Sequence, residues 1–163
     1  MSHKVSVIFV CLGNICRSPT AHGVFRKIVK DAGLEKEILI DSAGTAAWHV
    51  GKHADERSIR TAQGRGIEMM DLRARKVTLE DVSDFDYVLV MDESNYDDVK
   101  DISLNEDKHK IKMFLDFSKD YSETEVPDPY SGGQEGFNHV FDMITSASNG
   151  LLEDIKINYL KKQ

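Results

Sequence analysis

From Val5 to Val10 the chain reads Val-Ser-Val-Ile-Phe-Val, apolar at nearly every position. A strand with one wet face would alternate, so this run predicts a strand buried on both faces. After Pro19 the period changes. Ala21, Val24, Phe25, Ile28 and Val29 recur at helical spacing and stop near Gly33, which predicts a helix with Ser18 as its N-cap and Pro19 at its first position. Between them Cys11 to Ser18 forms a short loop, with Gly13 and Asn14 at its turn.

The alternation then repeats. Ile38-Leu39-Ile40 reads as a second strand, followed by a loop from Gly44 to Gly51 and a helix from Asp55 to about Arg65. Asp86 to Met91 is a third strand, Ser94 to Asp101 a short helix, and Lys110 to Leu115 a fourth strand. Phe137, Val140, Phe141, Ile144, Leu151, Leu152 and Ile155 share one helical stripe, with Asn149-Gly150 as a kink. Buried strands alternating with helices define the α/β class. The expected architecture is a single-domain three-layer sandwich, a mostly parallel four-stranded sheet with helices on both faces. Such sheets bind ligands at the carboxyl ends of their strands, so the loop after the first strand is the first place to look for chemistry.

Composition narrows the picture. With 163 residues, 40% of them hydrophobic, the chain suits one domain with a core that needs no covalent staples. The 21 basic and 28 acidic side chains leave a net charge of −7, which argues against nucleic acid or an anionic membrane as partner. No apolar run reaches the roughly 18 residues that span a bilayer. The opening residues lead into strand without a secretory apolar segment, so a cytoplasmic protein is expected. The two cysteines, Cys11 and Cys16, are too few for a disulfide scaffold or a cysteine-built zinc site, which leaves reactive thiols or inert core thiols. His49 and His53 are four apart, but Gly51 lies between them and no HExxH pattern exists; no metal is expected.

Cys11-Leu12-Gly13-Asn14-Ile15-Cys16-Arg17-Ser18 spaces a cysteine six positions before an arginine, with a strand before and a helix after. Five intervening residues let the backbone wrap so that its N–H groups converge at a helix N-terminus, a natural anion site. Gly13 and Asn14 tolerate left-handed dihedrals in such a ring. Arg17 offers a planar fork for two phosphate oxygens. Cys11, at the strand end, lies in the same positive field, which favours its thiolate, and the Ser18 hydroxyl is placed to donate to the sulfur. A thiolate beneath a bound phosphate is a nucleophile in line with the leaving oxygen. That leaving oxygen needs a proton, and the chain offers Val126-Pro127-Asp128-Pro129-Tyr130, where two of the three prolines stiffen the backbone around one acid. Tyr130 and Trp48 are suited to wall a slot for a flat ring.

VCLGNICRSP and the Asp128-Pro129-Tyr130 segment resemble the low-molecular-weight protein tyrosine phosphatases, and the likeness extends over Asp41 to Thr45, Gly66-Ile67, Ala74-Arg75 and Phe85 to Asn95. The resemblance implies one phosphatase domain over residues 1–163, hydrolysis of phosphotyrosine and small aryl phosphates, and no cofactor. It implies Cys11 as the nucleophile that forms a phosphocysteine, Arg17 as transition-state clamp and Asp128 as general acid, then base. Leu12, Gly13, Asn14, Ile15, Cys16, Arg17 and Ser18 would contact the phosphate, and Asn14 would hold the loop's shape with help from Ser42. Trp48, His49 and Tyr130 would shape the entrance, and Cys16 would trap oxidised Cys11 as a disulfide. Implied partners are phosphotyrosine proteins and, in the loop, phosphate or other oxyanion inhibitors; the chain would be a monomer or weak dimer. Three positions depart from the family pattern: Ser131 in place of a second aromatic, His49 where asparagine is common, and Leu72 where a supporting histidine is common. An arsenate reductase of the same fold, a phosphoarginine phosphatase, and a phosphopeptide-binding module without turnover stand as alternatives. The first would need further cysteines, and none follows Cys16.

Overall fold

The computed structural model describes residues 3–160. Four parallel strands, β1 (Val5–Cys11), β2 (Ile38–Gly44), β3 (Tyr87–Val90) and β4 (Ile111–Met113), form one sheet in the order β2-β1-β3-β4. β1 is central, with Val5 beside Ile38, Cys11 beside Gly44 and Val7 beside Tyr87. Its unbroken apolar run follows from that position. Val5, Val7, Phe9 and Cys11 point into a core shared with α1 (Arg17–Asp31), α2 (Glu56–Gln63) and α5 (Gln134–Ile155). Ile8 and Val10 point to the opposite face, where Val82 of α3 (Leu79–Asp84) and Val99 of α4 (Glu93–Ile102) cover them. Phe9 meets Phe25 and Phe114 edge-on at 5.8 and 4.9 Å between centroids. Each such buried ring contributes roughly 1.5–3 kcal/mol relative to exposure. Among the described residues no helix is long and apolar enough to cross a membrane.

The sheet is wholly parallel, where a mostly parallel one was expected. Several boundaries differ from the periodicity reading. α1 begins at Arg17 with Cys16 in the cap position, so Ser18 lies inside the first turn and its hydroxyl is free to face the Cys11 sulfur instead of capping. β2 runs on to Gly44, because Asp41 to Gly44 continue the ladder against Ile8 to Cys11. β4 is only three residues long and passes into a 3-10 turn, Phe114–Phe117. Asn149-Gly150 does not kink α5, which is continuous across it. A Cβ at Gly150 would overlap the Phe117 carbonyl, so the glycine admits a close approach of that turn. α3 was not anticipated. Its reciprocal cap between Thr78 and Asp81 is a Thr-x-x-acid signature readable in the sequence.

Candidate active site

The loop between β1 and α1 lies at the carboxyl edge of the sheet, where α/β folds bind ligands. It borders a cavity of about 360 Å³ lined by Cys11, Leu12, Gly13, Ile15, Cys16, Arg17, Trp48, His49, Asp128 and Tyr130. Residues from three separate segments of the chain therefore meet there. Trp48 and Tyr130 are 70% and 50% exposed, as befits an entrance, whereas Cys11 and Arg17 are 2% exposed at its floor.

The loop's shape has identifiable supports. Asn14 has φ 58°, the one non-glycine with positive φ among the described residues. Its side chain fixes that conformation from both ends: Nδ2 donates to Ser18 Oγ at 2.7 Å, and Oδ1 accepts the Arg75 N–H at 3.0 Å. Gly13 was expected to share the left-handed conformation and does not. Its lack of a side chain serves packing, since a Cβ there would sit 3.0 Å from His49 Cδ2. Carbonyls of Cys11, Leu12 and Ile15 accept from the Thr45, Ala46 and Asp55 amides at 2.9, 2.9 and 2.8 Å. Gly44 lies directly behind the turn, where a Cβ would stand 2.7 Å from the Leu12 carbonyl and 3.0 Å from the Asn14 nitrogen.

Cys11 Sγ is 3.1 Å from Ser18 Oγ and 3.4 Å from the Ser18 N–H. The Ser18 hydroxyl also lies 3.3 Å from the Ala43 carbonyl. It has one proton to give, and the sulfur and the carbonyl are both within reach of it. Ser42 does not reach Asn14; its hydroxyl is 3.0 Å from His22 Nδ1, because β2 turns that residue towards α1. Burial, reinforced by Arg26, lowers the pKa of His22 to about 4, so it is neutral. Where a histidine supports the loop in the resembling family, Leu72 is buried in the core here, and the Arg75 backbone amide holds Asn14.

Arg17 is held by groups the sequence reading did not assign. Its Nη1 donates to Asp92 Oδ2 at 2.7 Å and to the Val126 carbonyl at 2.9 Å, while Nη2 lies 3.8 Å from Asp128 Oδ2. Burial opposes its charge, but Cys11 and the bond to Asp92 outweigh that and raise its pKa above the ordinary value. Asp92 follows β3 and caps α4, a strand-end acid before a helix, which is the available signal for it. Asp128 Oδ1 accepts the Tyr130 N–H at 3.1 Å. Cys16 faces the same cavity, yet burial and then the Asp55 carboxylate push its thiol up to about 12. The arrangement brings a thiol, a fixed guanidinium and a carboxyl group to one cavity, a set of groups capable of cleaving a phosphate ester.

Comparison with known proteins identifies the family. A family model described as low molecular weight phosphotyrosine protein phosphatase matches residues 6–162. A putative low molecular weight protein-tyrosine-phosphatase of Synechocystis is 41% identical over 152 residues, 93% of this chain and 96% of that protein. The low molecular weight phosphotyrosine protein phosphatase of Schizosaccharomyces pombe is 39% identical over 156 residues, 95% and 99% of the two chains. The crystal structure of a protein tyrosine phosphatase from Entamoeba histolytica, with Hepes in its active site, superposes with a TM-score of 0.90 at 38% identity, covering 94% of this chain and 97% of that one.

Proposed function

The chain belongs to the low molecular weight phosphotyrosine protein phosphatases, hydrolases that work through a cysteine, and on that premise we propose that Cys11, Arg17 and Asp128 carry the reaction here. The observation that supports this most directly is the convergence of all three on one cavity, with Arg17 fixed between Asp92 and the Val126 carbonyl. The phosphoryl group of a phosphotyrosine side chain sits in the loop, its oxygens taking N–H groups of Leu12 to Ser18 and the fork of Arg17. The Cys11 thiolate attacks phosphorus as the P–O bond to the ring breaks, and Asp128 gives its proton to the leaving phenolic oxygen. A phosphocysteine results. Asp128, now a carboxylate, takes a proton from water, which attacks phosphorus and expels the Cys11 thiolate, releasing inorganic phosphate. Ser18 stabilises the sulfur anion at the start and end of the cycle.

The substrate's aromatic ring lies between Trp48 and Tyr130, with His49 at the rim, and exposure of both rings suits a protein-borne phosphotyrosine. Residues 1–163 act as one phosphatase domain in the cytoplasm, without metal or cofactor, as a monomer or weak dimer. Inorganic phosphate and other oxyanions compete in the loop. Cys16 stands as the resolving thiol for oxidised Cys11. An arsenate reductase is not favoured, since that chemistry passes a disulfide to cysteines this chain lacks beyond position 16.

The test is hydrolysis of para-nitrophenyl phosphate with and without chelator, beside Cys11→Ser and Asp128→Ala. Chelator-insensitive turnover that vanishes in Cys11→Ser and drops by about 10²-fold or more in Asp128→Ala supports the assignment. Turnover that survives Cys11→Ser overturns it.

A further inference from the structure

Residues 127–133, which include Asp128 and Tyr130, lie between Val126 and the start of α5. Val126 is well anchored, its N–H bonded to the Met91 carbonyl and its own carbonyl to Arg17. Beyond it the chain enters a stretch exposed at every residue from 127 to 133 except the buried Pro129, with only local backbone bonds, such as Gly132 N–H to the Pro129 carbonyl. Among the described residues one side chain from outside the segment hydrogen-bonds into it, and that is Arg57 of α2. Arg57 Nη2 donates to the Tyr130 carbonyl at 2.9 Å and Nη1 to the Gly132 carbonyl at 3.3 Å. Its guanidinium also lies over the Tyr130 ring at 5.5 Å and the Phe137 ring at 4.5 Å.

The other end of this link leads to the phosphate loop. Arg57 is fixed by Asp55, whose Oδ1 accepts from Arg57 Nε and whose Oδ2 accepts from Nη2, both at 3.2 Å. The same Asp55 caps α2 and gives its own N–H to the Ile15 carbonyl at 2.8 Å. One chain of contacts thus runs from Ile15, in the nucleophile's loop, through Asp55 and Arg57 to the residue whose N–H holds the Asp128 carboxylate.

We infer that Arg57 is a positioning residue for proton transfer: it fixes the distance between the loop carrying Cys11 and the segment carrying Asp128. This rests on Asp128 being the general acid. Arg57 touches neither phosphate nor leaving group, so its effect is felt in proportion to how much the reaction needs the acid. A proton donor displaced by an ångström matters little for a leaving group that departs unaided and much for one that does not. Lysine at this position keeps the charge but cannot bond two carbonyls and Asp55 from one planar fork.

The experiment measures kcat/KM for aryl phosphates of graded leaving-group pKa, from para-nitrophenyl to phenyl and alkyl-substituted phenyl phosphate. It compares the wild-type chain with Arg57→Ala, Arg57→Lys, Asp128→Asn and the Arg57→Ala/Asp128→Asn double variant. Arg57→Ala is expected to lose on the order of ten-fold with the poorest leaving group and much less with para-nitrophenyl phosphate. The dependence on leaving-group pKa steepens towards that of Asp128→Asn, with Arg57→Lys between. The double variant should be no slower than Asp128→Asn alone, because the two act through one proton. An equal loss across all leaving groups, or additive losses in the double variant, overturns the inference while leaving Asp128 as the acid. An Asp128→Asn variant whose leaving-group dependence is no steeper than that of the wild type overturns the acid assignment itself, and the role of Arg57 with it. Arg57→Lys covers the case in which alanine compromises folding, since its charge and aliphatic stem remain over Phe137.

Discussion

Asp92 divides its carboxylate between two tasks: Oδ2 accepts from Arg17 Nη1 at 2.7 Å, while Oδ1 accepts the Asn95 N–H at 2.8 Å and so caps α4. The orientation of the Arg17 guanidinium is thereby tied to the start of a helix on the far side of the sheet. Removing Asp92 leaves Arg17, a side chain only 3% exposed, with its charge less compensated and its fork free to turn. Asp92→Ala should lower kcat/KM by on the order of 10²-fold and weaken phosphate inhibition in parallel. Asp92→Asn can keep the cap through its oxygen but then turns an amide donor towards Arg17, so it should spare stability more than activity. Steady-state kinetics with phosphate as competitor checks both.

Gly44 has no room for a side chain, because the Leu12 carbonyl and Asn14 nitrogen occupy the space at 2.7 and 3.0 Å. Neither atom is a flexible side-chain tip, so the phosphate loop itself must move. Gly44→Ala is therefore expected to reduce kcat/KM by about ten-fold or more and to weaken phosphate binding, measured by calorimetry. Unchanged phosphate affinity in a folded Gly44→Ala would show that the loop does not depend on this contact.

Gly150 faces a closer overlap with the Phe117 carbonyl, away from the cavity, where α5 meets the 3-10 turn. Gly150→Ala should cost about 1–3 kcal/mol of stability, a drop of several degrees in melting temperature, with kcat/KM little changed. A melting temperature equal to the wild type contradicts the packing argument.

His22 sets a pH dependence. In the folded chain it binds its proton only below about 4, against 6.5 for an unperturbed histidine. Between those values the unfolded chain holds more protons, so stability is fully present above pH 6.5 and is lost as pH falls towards 4. The gap corresponds to on the order of 3 kcal/mol. Asp71, Asp55 and Asp81 are held, despite burial, below their ordinary 3.8 by hydrogen bonds from arginines and backbone amides. They give up their contributions from about pH 5 downwards, so the loss between pH 6.5 and 5 is the part that belongs to His22. Urea unfolding from pH 7.5 to 4 should show the loss, and His22→Gln should flatten it.

In the proposed role of resolving thiol, Cys16 would react from its protonated form. Pushed up to about 12, it is almost wholly protonated at neutral pH, so it condenses slowly with a Cys11 sulfenic acid formed by peroxide. The condensation joins the two sulfurs and releases water. Peroxide should inactivate the wild type in a way that a dithiol reverses, and Cys16→Ser should shift the outcome towards irreversible loss. Full recovery of Cys16→Ser by dithiol would remove Cys16 from that role.

Much of the site was legible because its chemistry is local in sequence. The eight residues from Cys11 to Ser18 form one turn, and strand and helix patterns on either side place it at a sheet edge. Asp128 was legible through its two prolines, a backbone signal that does not depend on the fold. Asp92, Asp55, Arg57 and the Arg75 amide were not, because each acts on a residue tens of positions away and no periodicity encodes such pairings. Ser18 was misassigned to the cap for a related reason. The helix begins one residue after the ring closes, and only the geometry of the ring says where that is. The helix from Leu79 escaped because six residues are too few to establish a period, although its cap signature was present.

The anchoring of Arg17 has one more consequence. Its guanidinium is braced by Asp92 and Val126 before any substrate arrives, and the turn at Asn14 is locked from both ends, so little reorganisation accompanies occupancy. A loop shaped in advance for a tetrahedral dianion, as proposed, fits the one it has just released as well as the one it awaits. Only the ring contacts at Trp48 and Tyr130 favour the substrate. On the proposed assignment, orthophosphate released by turnover is expected to occupy the same loop and slow the enzyme's own progress.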